Sequence, residues 1–153
     1  MFFNIPQGEN FEINTIVLDL NGTLTVNGIL SEETKKLIIQ LKNLDYRIVL
    51  ISGDIRGNAK IISEELQIEL FLGKTSNEKA LQMKNFNKEN TAAIGNARID
   101  IGTFANARLS VATLQAEGIH TKILKYVDII VPNINDALNL FINKKSLEGT
   151  LRE

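Results

Sequence analysis

The chain contains no cysteine, which rules out disulfides, thiolate nucleophiles and thiolate metal sites. It has one histidine, His120; following Gly118-Ile119 in a loop-like stretch, it is given no catalytic part. It also lacks a charge excess. Seventeen Lys and Arg stand against eighteen Asp and Glu, for a net charge of -1, so no basic field exists to hold nucleic acid or an anionic membrane surface. No apolar run approaches the roughly 18 residues of a membrane span, and even Tyr46 to Ile51 is broken by Arg47. The opening Met-Phe-Phe-Asn lacks the positive n-region of a secretory signal, so a cytoplasmic location is the expectation. Repeats, linkers and low-complexity stretches are absent as well. A small polar or phosphorylated partner fits such a chain better than nucleic acid or a membrane.

What remains is a chain of 153 residues with 44% hydrophobic content, enough for one ordinary domain with a real core. A single domain over residues 1–153 is expected, with an N-terminal β-hairpin over about 1–14, a core over 15–143 and a charged tail over 144–153. In the hairpin, Phe2 to Ile5 and Phe11 to Ile13 are linked by Pro6 to Asn10. Strand Thr15 to Leu20 is nearly continuously apolar and belongs in the middle of a sheet covered on both faces. Ser31-Glu32-Glu33 opens a helix in which Leu37, Ile38, Leu41 and Leu44 recur at helical spacing as core positions. Then come strand Tyr46 to Ser52, helix Asn58 to Leu66, strand Ile68 to Leu72, helix Asn77 to Phe86 and strand Thr91 to Ile94. Helix Arg98 to Asn106, strands Leu109 to Thr113 and Asp128 to Val131, and helix Asn135 to Ile142 complete the alternation. This order predicts a three-layer α/β fold with a mostly parallel, Rossmann-like sheet and right-handed crossovers.

In such sheets ligands bind beyond the carboxyl ends of the strands, and four polar clusters stand at those ends. They are Asp19 to Thr23, Ser52 to Asp54, Gly73-Lys74 with Lys79 following, and Gly95 to Asp100. Converging on one crevice, they would supply the parts for phosphoryl transfer. Asp19 can attack phosphorus, the hydroxyl and backbone N–H groups from Ser52 and Gly53 onward can cradle phosphate oxygens, a lysine can neutralise developing charge, and Asp19 with Asp100 can hold Mg²⁺. Each cluster also has a plainer reading. Asn21-Gly22 is a strong hairpin signal that would turn the strand back on Thr23 to Val26. Ser52-Gly53-Asp54 resembles an ordinary helix cap, Lys79 a solvated lysine near a helix start, and Asp100 a first-turn acid favoured by the helix dipole.

In this order the clusters resemble the motifs of the haloacid dehalogenase superfamily of aspartate-nucleophile phosphatases and phosphotransferases, over about Thr15 to Ala137. Leu18-Asp19-Leu20-Asn21-Gly22-Thr23-Leu24, Ala93-Ile94-Gly95-Asn96-Ala97-Arg98-Ile99-Asp100, Asp128-Ile129-Ile130-Val131 and Gly149-Thr150-Leu151-Arg152 are most similar to its soluble P-type ATPase-like group. The resemblance implies that Asp19 is the nucleophile that becomes aspartyl phosphate. It gives Ser52, Gly53 and Thr23 to phosphate and its loop, and Lys79 to charge neutralisation, with Lys74 the poorer candidate. The backbone carbonyl of Asn21, with Asp19, Asp100 and Asn96, is assigned to the cation, Mg²⁺.

Two departures limit the chemistry this implies. Asn21 stands where phosphatases of the superfamily carry the aspartate that protonates the leaving group and activates water, and an amide can do neither. Losing that group forfeits about 10²- to 10⁴-fold in rate, so hydrolysis of the acyl phosphate is expected to be slow and Asn21→Asp to raise turnover. Asn96 replaces an acid with a neutral amide and Ile99 offers nothing polar, so the cation is expected to bind weakly without phosphate. Asp19 to Ser52 and Ser52 to Lys79 leave room only for core elements and a short flap, Thr25 to Leu30. A capless, open crevice then calls for a homo-oligomer or a macromolecular partner to cover it. The rival reading is a catalytically weak or inactive module of the same fold that binds a phosphorylated ligand or a protein partner.

Overall fold

A computed structural model describes residues Met1–Glu153. The strands are β1 (Phe2–Phe3), β2 (Phe11–Glu12), β3 (Thr15–Leu18), β4 (Arg47–Ser52), β5 (Glu69–Leu72), β6 (Thr91–Gly95), β7 (Leu109–Thr113) and β8 (Ile129–Val131). The helices are α1 (Glu32–Asn43), α2 (Ala59–Leu66), α3 (Ser76–Met83), α4 (Ile101–Phe104), α5 (Ile134–Ile142) and α6 (Lys144–Leu151). Six strands form one sheet in the order β5-β4-β3-β6-β7-β8, and every neighbouring pair in it is parallel.

The strands are short, β-branched and apolar because both faces of the sheet are buried. Along β3 the side chains alternate between two cores, with Ile16 and Leu18 in the larger and Val17 in the smaller. β4 does the same: Ile48 and Leu50 go one way, Val49 and Ile51 the other. On the larger face α1 packs against α5, and on the smaller face α3 packs against α4. Strand order reverses between β3 and β6, which are neighbours in the sheet although β4 and β5 lie between them in sequence. Their carboxyl ends therefore flank the crevice where open α/β sheets bind ligands.

The turn after β3 is decided by that crowding. Both edges of β3 are paired, to β4 and to β6, so the chain cannot fold back on it as the hairpin reading of Asn21-Gly22 requires. Instead it closes on itself. Gly22 takes φ 75°, its N–H donates to the Thr25 carbonyl at 2.8 Å, and the Thr25 N–H donates to the Leu20 carbonyl at 2.8 Å. The flap forms as expected, with Val26 and Ile29 exchanging backbone hydrogen bonds around Asn27 (φ 52°) and Gly28 (φ 80°), the left-handed pair that a two-residue hairpin turn demands.

Three expectations need correction. Residues 144–153 are not simply a charged tail: α6 occupies most of them, Leu147 is fully buried, and Glu148 Oε1 accepts from the Asn4 N–H at 2.8 Å. The stretch Arg98 to Asn106 is not one helix but a 3₁₀ turn at Arg98–Asp100 followed by the single turn α4. Leu44 is no core residue. It ends α1 and is exposed, while Ile38 and Leu41 are buried and Leu37 is partly so.

Candidate functional site

The site is organised by a lysine. α3 starts at Ser76, with the Thr75 hydroxyl accepting from the Glu78 N–H, and one turn of helix puts Lys79 on its inward face. Gly73, at the end of β5, makes that approach possible: a Cβ there would lie 3.0 Å from the Lys79 backbone nitrogen. The Lys79 ammonium is entirely buried and donates to Asp19 Oδ1 at 2.6 Å and to Asp100 Oδ1 at 2.7 Å. Asp19, just past the end of β3, is 7% exposed, and Asp100 is fully buried. Three residues from separate elements thus share one charge cluster.

Asp100 is held firmly. Its Oδ2 accepts from the Asn96 N–H at 2.9 Å and the Ala97 N–H at 2.8 Å, which is why the chain tightens into a 3₁₀ turn rather than a regular helix. Gly95 leaves the room, since a Cβ there would stand 2.6 Å from Asp100 Oδ2. With both oxygens engaged, Asp100 fixes the lysine and the loop.

Two carboxylates against one ammonium leave one negative charge uncompensated inside the protein. Burial raises the Asp19 carboxyl to about 7, the proximity of Asp100 adds to the rise, and Lys79 only partly opposes it. Burial by itself would push the Lys79 ammonium down, but Asp100 and Asp19 together hold it above its ordinary value. The two directions agree once the ammonium is seen as shared: each carboxylate receives part of one cation, and Asp19 also faces Asp100. A hard divalent cation would fit this excess. Asp19 Oδ2 accepts from no side chain, and the Asn21 backbone carbonyl accepts no hydrogen bond. No third Asp, Glu, His or Cys joins the two carboxylates, so cation binding would depend on backbone and phosphate oxygens, in line with the weak binding expected from the sequence.

Ser52 ends β4 and is fully buried. Its Oγ accepts from the Asp54 N–H at 2.9 Å, leaving its own proton available to donate. Gly53 follows, with the nearest atoms to a built Cβ at 3.5 Å. Asp54, not Asn58, caps α2: Asp54 Oδ1 accepts from the Ala59 N–H at 2.9 Å, and Asn58 makes no side-chain cap bond.

Thr23 and Asn96 bind each other. The Thr23 hydroxyl donates to Asn96 Oδ1 at 3.1 Å, and Asn96 Nδ2 donates to the Gly118 carbonyl at 2.8 Å. The pair ties three loops together, with Thr23 as a support of its loop and one lone pair of Asn96 Oδ1 taken by the Thr23 hydroxyl. Lys74 lines a hollow of about 480 Å³ with Thr75, Ser76, Arg98, Ile99 and Ile101.

Arg56, Gln115 and Glu117 carry no motif, and nothing in the sequence marks them. Arg56 Nε donates to Asn21 Oδ1 at 3.0 Å, and its Nη2 lies 3.3 Å from Glu117 Oε1. Glu117 Oε1 also accepts from the flap's Asn27 N–H at 2.7 Å. Gln115 Nε2 donates to the Gly22 carbonyl at 3.0 Å and also to that of Thr23, while its Oε1 accepts from the Ile134 N–H. The one signal that could have found these three is their position after Ser52 and after β7, at the carboxyl ends of two strands.

No family model matches the sequence. A soluble P-type ATPase-like phosphatase of Methanocaldococcus jannaschii is 27% identical over 150 residues, covering 95% of this chain and 54% of that protein. The chain thus spans about half the length of that relative. A Streptomyces avermitilis protein described as a HAD-family hydrolase superposes with a TM-score of 0.72 at 18% identity, covering 94% of this chain and 91% of that one. The 3-deoxy-D-manno-octulosonate 8-phosphate phosphatase of Moraxella catarrhalis, solved with a magnesium ion, a phosphate ion and KDO, gives a TM-score of 0.69 at 14% identity over 92% and 94% of the two chains. At these identities the two structures share the fold. The chain thus shares its fold with a HAD-family hydrolase and is similar in sequence, along nearly its whole length, to a soluble P-type ATPase-like phosphatase.

Proposed function

We propose that this protein is a Mg²⁺-dependent phosphatase or phosphotransferase acting on a small phosphorylated substrate through an aspartyl phosphate on Asp19. The observation that carries the reading is the buried Lys79 ammonium bound at once to Asp19 and Asp100. A stability argument alone does not account for it, because burying three charges costs more than an apolar cluster of the same size. It is the arrangement that a nucleophilic carboxylate and a dianionic phosphoryl group need. Asp19 Oδ2 attacks phosphorus, the bond to the leaving oxygen breaks, and the electron pair leaves on that oxygen. Lys79, the Ser52 hydroxyl and the N–H groups from Gly53 onward offset the charge gathering on the phosphoryl oxygens. When bound, the cation draws negative charge from the phosphate and from Asp19, whose carboxyl must be ionised to attack. The relatives support this reading: one is called a phosphatase and another holds magnesium and phosphate on the same fold.

Asn21 offers neither acid nor base, so the acyl phosphate should persist. Incubation with Mg²⁺ and acetyl phosphate should add one phosphoryl group, located at Asp19 by mass spectrometry of peptides, and Asp19→Asn should add none. Beryllium fluoride with Mg²⁺ should raise the melting temperature of the wild type only. A protein stabilised by Mg²⁺ and inorganic phosphate but never labelled would be the binding module of the rival reading.

A further inference from the structure

Asn21 is not a free amide. Arg56 Nε is a donor without acceptor capacity, so the bond at 3.0 Å forces the Asn21 side chain to present its oxygen to Arg56 and its NH₂ outward. That NH₂ donates to no group in the protein, although Asn21 lies two residues from Asp19 on the same loop. Arg56 is itself braced on two sides. Its stem packs on the flap, where a Cβ on Gly28 would meet Arg56 Cδ at 3.4 Å, and its far end reaches Glu117, which also holds the Asn27 N–H. A guanidinium anchored this way makes one rotamer of Asn21 dominant.

We propose that Arg56 is a positioning residue. By taking the Asn21 oxygen it leaves the NH₂ free as a hydrogen-bond donor to a leaving group that departs as an anion, the class to which the amide itself restricts efficient attack by Asp19. This inference rests on the proposed phosphoryl transfer. As the Asp19 oxygen forms its bond to phosphorus, the leaving oxygen takes the electron pair of the broken bond. An alkyl leaving group at neutral pH needs a proton at that moment, and neither an amide NH₂ nor a guanidinium can give one up. A carboxylate, a phosphate or a nitrophenolate leaves without a proton and needs only N–H donors to stabilise its charge. The substrate class is therefore acyl phosphates, phosphoanhydrides and aryl phosphates of low leaving-group pKa, rather than sugar or glycerol phosphates.

The test is the rate of Asp19 labelling in Mg²⁺ from acetyl phosphate, 4-nitrophenyl phosphate, phenyl phosphate and glycerol 2-phosphate, in wild type, Arg56→Gln and Arg56→Lys. Wild-type rates should fall steeply in that order. Arg56→Gln should slow labelling by acetyl phosphate with an unchanged melting temperature, and Arg56→Lys, which keeps a donor and the charge, should restore part of the rate. Equal rates across the four donors, or an acetyl phosphate rate that Arg56→Gln leaves unchanged, would overturn the assignment of Arg56 while leaving Asp19 as nucleophile. No label from any donor would overturn the nucleophile as well.

Discussion

At the scale of single residues, the informative group is one whose charge is out of place. Asp19 is buried beside Asp100 with half a share of Lys79, and its carboxyl is raised from 3.8 to about 7. In metal-free protein the folded state therefore keeps a proton between those pH values that the unfolded chain has lost. Stability must then fall as pH rises through that window, because the native state binds more protons than the unfolded one. A rise of one in pKa corresponds to about 1.4 kcal/mol, so the whole effect is a few kcal/mol at most. Urea unfolding in EDTA should show the wild type less stable at pH 8 than at pH 5. Asp19→Asn, which keeps the shape and removes the charge, should flatten that slope and be the more stable protein at pH 8; equal slopes would mean that Asp19 is not the group penalised by burial. The candidacy of Asp19, Ser52, Lys79 and Asp100 was legible because each follows an apolar strand or opens the next helix, where chain direction alone restricts what a side chain can reach. Arg56 and Glu117 were not legible. Their contacts join loops 35 and 61 residues apart in sequence, and no periodicity records a meeting of two loops. Nor was the bond between Thr23 and Asn96 legible, because it joins residues 73 apart in sequence.

At the scale of elements, alternation of strand and helix was readable because burial on both faces of the sheet forces continuous apolar runs, and Ser31 marks a helix start by capping it. The break at Asp100 was hidden, since periodicity cannot show a side chain turning back to take two backbone N–H groups. Nor does sequence reveal how near α4 lies to α3. A Cβ on Gly102, in α4, would fall 1.9 Å from the Ser76 carbonyl oxygen and 2.9 Å from the Ala80 nitrogen. Gly149, in α6, has nothing within 4 Å of such a Cβ. Both are helical glycines, for which alanine is ordinarily the better residue by about 1 kcal/mol. The same substitution should therefore act in opposite directions. Gly149→Ala should raise the melting temperature, while Gly102→Ala, forced against helix backbone, should lose about 1–3 kcal/mol. Because Ser76 begins the helix that carries Lys79, Gly102→Ala should also slow labelling of Asp19 by acetyl phosphate. A stabilised Gly102→Ala would show that the two helices can part without cost.

At the scale of the whole molecule, the accessible surface of 7601 Å² is close to the roughly 7,700 Å² expected of one compact domain of this mass, and the site lies at the carboxyl ends of its strands. The loops at its mouth are held by Arg56 and Glu117, yet they carry apolar side chains outward. Ile29 on the flap is 71% exposed, Ile55 beside Arg56 is 85% exposed and Leu114 after β7 is 51% exposed. The Gly28 to Arg56 packing and the Asn27 to Glu117 bond bring the loops bearing these three together. Water reaching an acyl phosphate is a competing reaction, and an apolar rim that meets another surface would exclude it. A second copy of the chain is the occupant available in any purified sample. Light scattering after gel filtration should then give a multiple of the 17.0 kDa chain mass. Ile55→Asp, which puts a charge in the middle of the rim without touching the core, should return the protein to 17.0 kDa, leave the melting temperature of the monomer largely intact, and shorten the lifetime of the phosphorylated form. A wild type that stays at the chain mass at every concentration tested would transfer the shielding to a macromolecular substrate, and Ile55→Asp would then weaken its use while acetyl phosphate labelled Asp19 as before.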